Sequence, residues 1–483
     1  MKRVLLTMAA LLASAAVSAQ EQALTLDDAL QITLSDNPTI EALHHEEEAA
    51  RRERQATVGL RMPKISVTGA YAYLGKDIGI DVNNLKPGVN GAVGDILTQG
   101  VQAGIISPEL IPTIQGLMSP IMAADWGLKI QDRSLGFVGG EVTMPIWLGG
   151  KINAASRAAR INEQSASEAG NQARNALVSE LVERYFGLAL AKQVVAVRWQ
   201  VADGVRRHLE DAEALARNGM LARSELLYVE YQMAEAEREL LNAELQVKTI
   251  SDALNNTLGK ESGDYLPVTA MFVVDNIEGV EYYKTLAANR NPLLNQVGLK
   301  RRLANENVRV QRSEFLPQVV AMGGASFYNY QVTGILPRWA VGVGVNFKIF
   351  DGLNREYKYS AAKQTLRRVE ALQNKAESDI AVLVEKLYNQ MTNYRNQLRS
   401  IDSSIAFAEE YLKAKNTAFV EGMSSSTDLI DAELNLAKVR TERIQAAFNY
   451  DVALAQLLEA AGVSGEFTSY ARRSDARQIV FSE

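Results

Sequence analysis

Side chains able to do chemistry are few in this sequence, and their spacing works against catalysis. The chain has no cysteine, which removes thiolate nucleophiles, thiolate metal sites, disulfides and a lipidated N-terminal cysteine. Two of its three histidines lie in the run His44-His45-Glu46-Glu47-Glu48. A zinc-binding His-Glu-x-x-His helix needs a second histidine at position 49, which is Ala49, so the run reads as a solvated helix face. His208 stands alone: no serine and aspartate complete a triad with it, and no glycine-rich loop is laid out to cradle a phosphate. Asp428 and Asp431 follow a Gly-Met pair, where acids favour a helix N-terminus by about 0.3 to 1 kcal/mol. The expectation is a protein that is not an enzyme and carries no catalytic residue, cofactor or metal.

The elements that position these residues are set by composition and by the placing of helix breakers. The chain opens with Lys2 and Arg3, continues through an apolar stretch from Val4 to Val17, and offers small residues up to Ala19, which is the layout of a secretory signal peptide over residues 1–19. Formal net charge is −6, and an acidic exported chain is a poor ligand for nucleic acid, which draws its affinity from phosphate neutralisation. All eleven prolines lie at or before Pro145 or between Pro267 and Pro337, so residues 146–266 and 338–483 are free for uninterrupted helices. No apolar run after the signal is long enough for a membrane-spanning helix, because Pro108, Pro112 and Pro120 break the most apolar one. Strands remain as the way to span a membrane.

The chain is also an internal duplication. Asn37-Pro38 recurs as Asn291-Pro292, and Pro63 as Pro317, in each case 254 residues on. Tyr185 pairs with Tyr388, Gly219-Met220 with Gly422-Met423, Glu230 with Glu433 and Gly259 with Gly462, all 203 residues apart. The change of offset places an insertion of 51 residues in the first half, between Pro63 and Trp147. The reading is a first structural repeat over residues 20–270 and a second over 271–462, followed by a C-terminal tail at 463–483. In each repeat a short helix (25–34; 281–289) leads to one that starts just after Asn-Pro. Strands follow near 63–74 and 135–147, and near 318–331 and 338–350. Long helices then run over 151–217 and 221–258, and over 353–419 and 427–461. Leu387, Met391, Tyr394, Leu398, Ile401, Ile405, Ala408 and Leu412 step by four and three, the spacing of a helix packed along its length. A helix of some 67 residues would extend roughly 100 Å, so the shorter return helices would need to stack end to end on the Asn-Pro helices to match it.

The strands alternate. Ile65, Val67, Gly69, Tyr71 and Tyr73 share one face, as do Val138, Gly140, Val142, Met144 and Ile146. In the second half Trp339, Val341, Val343, Val345, Phe347 and Ile349 face one way and small or polar residues the other. Apolar-out alternation over about ten residues, with Tyr71, Trp147, Tyr330, Trp339 and Phe350 at the ends, is what a transmembrane β-barrel requires. Four strands cannot close a barrel, so edges must pair between subunits. Two chains would give eight strands and three would give twelve; a central pore of useful width favours three.

In their order and doubling these residues resemble the TolC-like outer-membrane efflux protein family over essentially all of the mature chain. The resemblance is carried by the Asn-Pro helix entries, the proline before each first strand, the exits Trp147 to Gly150 and Phe350 to Gly352, and Phe419-Val-Glu-Gly422 followed by Asp428-Leu-Ile-Asp431-Ala-Glu433. It implies a mixed α and β fold: an outer-membrane β-barrel shared between three protomers, four strands each, continued by a long periplasmic α-helical barrel with an equatorial belt. The implied function is a trimeric outer-membrane channel of a tripartite efflux or type I secretion system. Such a channel gives passive exit from the periplasm after docking with a periplasmic adaptor and an inner-membrane pump of the RND or ABC type, and outer-membrane lipid surrounds it. Asp428 and Asp431 map onto family aspartates of the pore constriction. Ser224, Glu225, Phe419 and Ser424 map onto positions that tie the tip helices together, although the usual tyrosine is Phe419 and the usual arginine is Ser424; Arg223 is the candidate to supply the lost cation. Gly219, Met220, Gly422 and Met423 are the expected adaptor-docking turns, and residues 75–134 the expected extracellular insertion. A periplasmic coiled-coil scaffold or adaptor is the alternative, and it should carry no lipid-facing row of strand residues.

Overall fold

The computed structural model of the chain describes residues 21–332 and 337–479; the signal segment expected at residues 1–19 lies outside them, as do the last residues of the expected tail. Strand β1 (Gln22–Leu24) and helices α1 (Leu26–Asp36) and α2 (Pro38–Ala56) lead to strands β2 (Lys64–Tyr73) and β3 (Ile78–Asp81). Helices α3 (Lys86–Gln102) and α4 (Ile111–Ala123) come next, then strands β4 (Gly127–Gln131) and β5 (Ser134–Leu148). Helices α5 (Lys151–Arg217) and α6 (Arg223–Leu258) and strands β6 (Tyr265–Pro267) and β7 (Met271–Val274) complete the first half. The second half has helices α7 (Val280–Arg290) and α8 (Pro292–Ser313), strands β8 (Gln318–Tyr330) and β9 (Trp339–Asn346), and helices α9 (Asn354–Val420) and α10 (Ser426–Ala460). It closes with α11 (Phe467–Ala471) and β10 (Ala476–Ile479). Two compact units divide the described residues: 21–54, 157–308 and 360–479, which are mainly helical, and 55–156, 309–332 and 337–359, which hold the strands β2 to β5, β8 and β9.

In the strand-bearing unit, β2, β5, β8 and β9 form one antiparallel sheet in that order. The register sets Ile65 beside Val142 and Val67 beside Gly140, while Val142 pairs with Gly323, and Gly323 with Val341. Between the two irregularities of the β5–β8 pairing, at Val138/Gly139 and Pro145/Trp147, residues of like parity therefore share a face across the four strands, as the two-residue side-chain period demands; beyond Val138 the parity of β8 switches, so that Tyr328 and Tyr330 stand beside Val138 and Gly136. That face is apolar, and the opposite one carries Ser66, Thr68, Glu141, Thr143, Gly342, Gly344 and Asn346. Ser66 donates to Glu141 at 2.8 Å on this second face. Gly136 sits between Tyr71 and Tyr330, whose atoms lie 3.3 and 3.7 Å from where a Cβ would be, so the rings cover the strand where the glycine cannot. Every residue of β2 is exposed, on both faces, and on the apolar face Ile65 is 77% and Val341 78% exposed. β9 ends at Asn346, short of position 350, because Asn346 pairs with Gln318, the first residue of β8, and Pro317 before it has no N–H to extend the ladder.

In the helical unit the duplication is visible as one hydrogen-bond pattern made twice. The buried amide of Asn37 donates to the Thr257 carbonyl (2.9 Å) near the end of α6 and accepts from the Thr39 N–H (2.8 Å) at the start of α2. Asn291 donates to the Ala460 carbonyl (2.8 Å) at the end of α10 and accepts from the N–H groups of Leu293 (2.9 Å) and Leu294 (3.1 Å) at the start of α8. One side chain thus satisfies orphan groups of two helix ends, with proline at the first helical position where no donor is lost. Gly259 and Gly462 end the incoming helices at φ of 70° and 76°. A Cβ there would lie 2.5 Å from the Asp36 carbonyl and 2.3 Å from that of Arg290, so both junctions are closed by backbone against backbone.

The core gathers beside these junctions: Tyr185, Phe186, Leu254, Leu258, Tyr283, Tyr450, Leu454 and Phe467 are all essentially buried. From the four-three series of α9, Leu387, Met391, Leu398 and Ala408 are buried, while Tyr394 and Ile401 pack on the core. Two small sheets have no counterpart in the sequence reading: β1 pairs parallel with β6, and β7 antiparallel with β10. Their strands are three or four residues long, too short to show a period. Side chains cover the edge of β7, where the Tyr450 hydroxyl takes the Val274 N–H (3.1 Å) and Asp451 that of Phe272 (3.3 Å). Asp451 is fully buried, and desolvation holds its carboxyl well above the usual range.

Gly462→Ala and Gly422→Ala both place a Cβ at positive φ, a strain of roughly 1–2 kcal/mol, but only position 462 also meets backbone. Gly462→Ala should lower the thermal unfolding temperature, followed by circular dichroism, by clearly more than Gly422→Ala; equal shifts would mean that the junction yields freely.

Candidate functional site at the helix turns

The turns joining α5 to α6 and α9 to α10 are built alike. Gly219 and Gly422 both have φ of 72°, and the following N–H groups reach back to close the helix ends: Met220 to the Leu215 carbonyl (2.9 Å) and Met423 to that of Ala418 (2.8 Å). This is the Schellman pattern, for which glycine is the residue of choice. Nothing lies within 4 Å of a Cβ built on either glycine, and Met220 and Met423 are more than 70% exposed. Each turn therefore offers open backbone beside one flexible apolar side chain.

The two aspartates are held differently. Ser425 caps α10 by accepting from the Asp428 N–H at 3.2 Å, so Asp428 is indeed a first-turn acid. Its carboxylate accepts from the Ser424 hydroxyl (3.0 Å) and lies 3.5 Å from the Lys415 ammonium. The Ser424 hydrogen bond first, and the Lys415 charge second, hold this carboxyl below the usual range. Asp431 accepts instead from the hydroxyl of Tyr228 on α6, at 3.0 Å. Burial chiefly, and the Asp431 carboxylate next, push the Tyr228 phenol up. Tyr228 and Asp431 are 203 residues apart, so equivalent positions of the two repeats touch each other.

Of the other residues singled out in the sequence, Arg223, Ser224 and Glu225 lie exposed in the first turn of α6, and their side chains make no hydrogen bond or ion pair among the described residues. Within the chain the cation beside Asp428 is Lys415, not Arg223. Phe419 packs edge-on against His208, ring centroids 6.3 Å apart. His208 is not alone: its Nε2 lies 3.2 Å from Glu433 on α10. Gly204, one turn before His208, leaves the space for that carboxylate, since a Cβ there would stand 2.7 Å from Glu433 Oε2. A glycine four residues before a histidine in a long helix was the available signal for this contact; taken alone it marks only a weak point in the helix. Tyr228 and Lys415 carried no signal, because helix periodicity does not say which neighbouring helix a residue meets. Among the described residues no group of three histidine, aspartate or glutamate side chains is arranged to hold a metal, and no helix is long and apolar enough to cross a membrane.

Two halves with matching helix junctions, matching glycine turns and a shared four-stranded sheet define a duplicated helical and β-sheet protein of a recognisable kind. The profile of the outer membrane efflux proteins matches residues 129–260 and 285–463, more than half of the chain, and the chain belongs to that family. It is 22% identical over 306 residues to the alkaline protease secretion protein AprF of Pseudomonas aeruginosa, covering 60% of this chain and 62% of that one. It is likewise 22% identical to the outer membrane protein TolC of Escherichia coli, covering 60% and 62%, so the chain spans about three fifths of the length of these relatives. Among solved structures, the fold is that of a membrane protein from Pseudomonas aeruginosa (TM-score 0.70, 16% identity, 90% of both chains). It is also that of the Campylobacter jejuni CmeC outer membrane channel (TM-score 0.69, 14% identity, 91% of this chain and 86% of that one).

A carboxylate held low stabilises the fold above the usual carboxylate range, and that contribution is lost as pH falls through its lowered value. Lys415→Met combined with Ser424→Ala should therefore cost thermal stability at neutral pH, the difference from the parent shrinking as pH is lowered through the carboxylate range. A difference that stays constant with pH would show that Asp428 is not the group through which these two side chains act.

Proposed function

We propose that this protein is the outer-membrane channel of a tripartite efflux or type I secretion system, a passive duct and not an enzyme. The observation that carries the reading is the sheet: four antiparallel strands with an apolar face, both outer strands, β2 and β9, unpaired along their far edges among the described residues. Ten residues of β2, at about 3.4 Å each and tilted by about 40°, rise some 25 Å, the height of the apolar band of an outer-membrane barrel. Tyr71, Tyr73, Tyr328, Tyr330 and Trp339 lie at the end of the sheet from which the insertion springs, Trp147, Phe347 and Phe350 at the other, as two interfacial girdles. Three copies would supply twelve strands and leave no edge bare. A periplasmic scaffold, the alternative, has no use for an apolar sheet face of this kind.

On this reading residues 1–19 direct export, the repeats 20–270 and 271–462 each give two strands and their helices, and the tail from 463 belongs to the equatorial belt. Residues 75–134 lie outside the cell over the barrel mouth. The turns at Gly219-Met220 and Gly422-Met423 are the periplasmic tip, where open backbone and exposed methionine receive the helical hairpins of an adaptor, which in turn bridges to an inner-membrane pump. Arg223, Ser224, Glu225, Phe419 and Ser424 line the contacts between tip helices. Threefold symmetry makes rings of Asp428 and Asp431, whose crowded charge at a constriction favours cations.

Replacing both aspartates by alanine should raise single-channel conductance in a planar bilayer and weaken cation selectivity, with the trimer intact; parental conductance and selectivity would place the constriction elsewhere. A tag at Asn90 should be labelled on intact cells by a reagent that cannot cross the outer membrane. Labelling that requires a permeabilised membrane would put the insertion on the wrong side.

A further inference from the structure

In the helical unit, α5 is covered on two flanks and its repeat counterpart α9 on only one. Helix α5 meets α2 through Arg174–Glu47 (3.0 Å) and Glu163–Arg54 (2.6 Å). A different flank meets α8 through Arg157–Glu306 (2.8 Å), Gln164–Arg302 (3.3 Å), Glu168–Asn295 (3.2 Å) and Gln172–Gln296 (2.7 Å). Numbers fall along α5 as they rise along α8, so this pair is antiparallel. At the joint Ala158, Ile161, Ser165 and Glu168 of α5 are buried or half-buried, as are Asn295, Leu299, Leu303 and Glu306 of α8.

The duplication says where this joint should recur. Helix α9 repeats α5 at 203 residues on, over the same length, and α2 stands 254 residues before α8. On α9 one flank is covered, with Ala362, Leu366, Val369 and Ile380 buried or half-buried. The counterparts of the α8-facing residues of α5 are Ala361, Gln364, Arg368 and Ala371, and all are exposed. On α2 the counterparts of the α5-facing residues of α8 are Glu41, His45, Ala49 and Arg52, and all of these are exposed too. Two surfaces that meet inside the chain at α5 and α8 are thus left open at α9 and α2. Their charges are complementary. The open flank of α9 carries Arg367, Arg368 and Lys375, and neither arginine has a hydrogen bond or ion pair among the described residues. The open flank of α2 carries Glu41 and Glu48. Carried over by the repeat, Gln164–Arg302 becomes Arg367–Glu48, and Asn295, held between positions 168 and 172, becomes Glu41 between Ala371 and Lys375. Glu48 bonds Arg51 and Arg52 along its own helix, and its two oxygens can accept a further donor.

We infer that α9 of one copy covers α2 of the next copy in the antiparallel register that α5 keeps with α8, and that ion pairs set this joint: Arg367 with Glu48, and Lys375 with Glu41, of the next copy. The inference rests on the trimeric channel reading and names the seam by which its helices close, a heterologous contact that returns on itself after three copies. Exposed ion pairs add little stability, but wrongly matched charges across a joint are costly, so these pairs act on register. The absence of cysteine makes the test direct. With a short bis-maleimide, Arg367→Cys with Glu48→Cys should give covalent trimers on a denaturing gel, and each single variant should not. The same reagent should join Gln164→Cys to Arg302→Cys within one chain, which calibrates its reach. In a second measurement, Lys375→Glu or Glu41→Lys alone should lower the temperature at which the trimer dissociates in mild detergent, and the two together should restore most of the loss. The mass of the unmodified protein in detergent is measured alongside: a particle that is not a trimer sinks the channel reading itself. A trimer whose 48/367 variant stays monomeric on the gel overturns the seam alone, and so does a double charge swap no more stable than the weaker single variant.

Discussion

Much of the helical unit depends on one side chain used twice. Asn37 and Asn291 each join the end of a long return helix to the start of another, α6 to α2 and α10 to α8, by donating to a last-turn carbonyl and accepting first-turn N–H groups. Both are about 6% exposed, so an unmet amide there would cost about 1–3 kcal/mol. The proline that follows fixes the entry angle, and the glycine at the end of the incoming helix lets the two backbones meet. The core aromatics Tyr185, Tyr283 and Tyr450 gather around these junctions and send their hydroxyls to the short strands and to neighbouring side chains, so that burial of large rings and satisfaction of strand edges are achieved by the same residues.

The sheet obeys the opposite constraint. Among the described residues no further strand pairs with its outer edges and most of its side chains are exposed, and in water such a surface invites association. In a membrane the same features become requirements: backbone groups must pair with other strands, and the apolar face must meet lipid. The proposed pairing of edges between copies would meet both requirements, and membership of the outer membrane efflux proteins gives the sheet an environment in which they make physical sense.

At the turns the contacts within the chain bring in residues that the sequence did not single out. With phenylalanine at 419 and serine at 424, the aspartates find other partners: Ser424 itself and Lys415 for Asp428, and Tyr228 for Asp431. The last of these joins equivalent positions of the two repeats, and the His208–Glu433 contact joins the repeats again two residues further along α10. Both contacts cross between helices of different halves, which no reading along one helix can anticipate.

By itself the sequence determined the repeat, the sites of the helix breaks and the faces of the strands. Those follow from local rules: Asn-Pro pairs start helices, Gly-Met pairs end them, and a two-residue period fixes which strand residues point together, although Pro120 lies inside α4 without breaking it. Tertiary structure alone decided the strand order β2-β5-β8-β9, the end of β9 at Asn346, the short β1–β6 and β7–β10 pairs, and the fold of the insertion. It also decided that His208 has a partner and that Lys415 stands beside Asp428. The physical reason is common to all of these: each depends on which residues distant in the chain are brought within a few ångströms, and periodicity specifies the face a residue occupies but not the neighbour that face will meet.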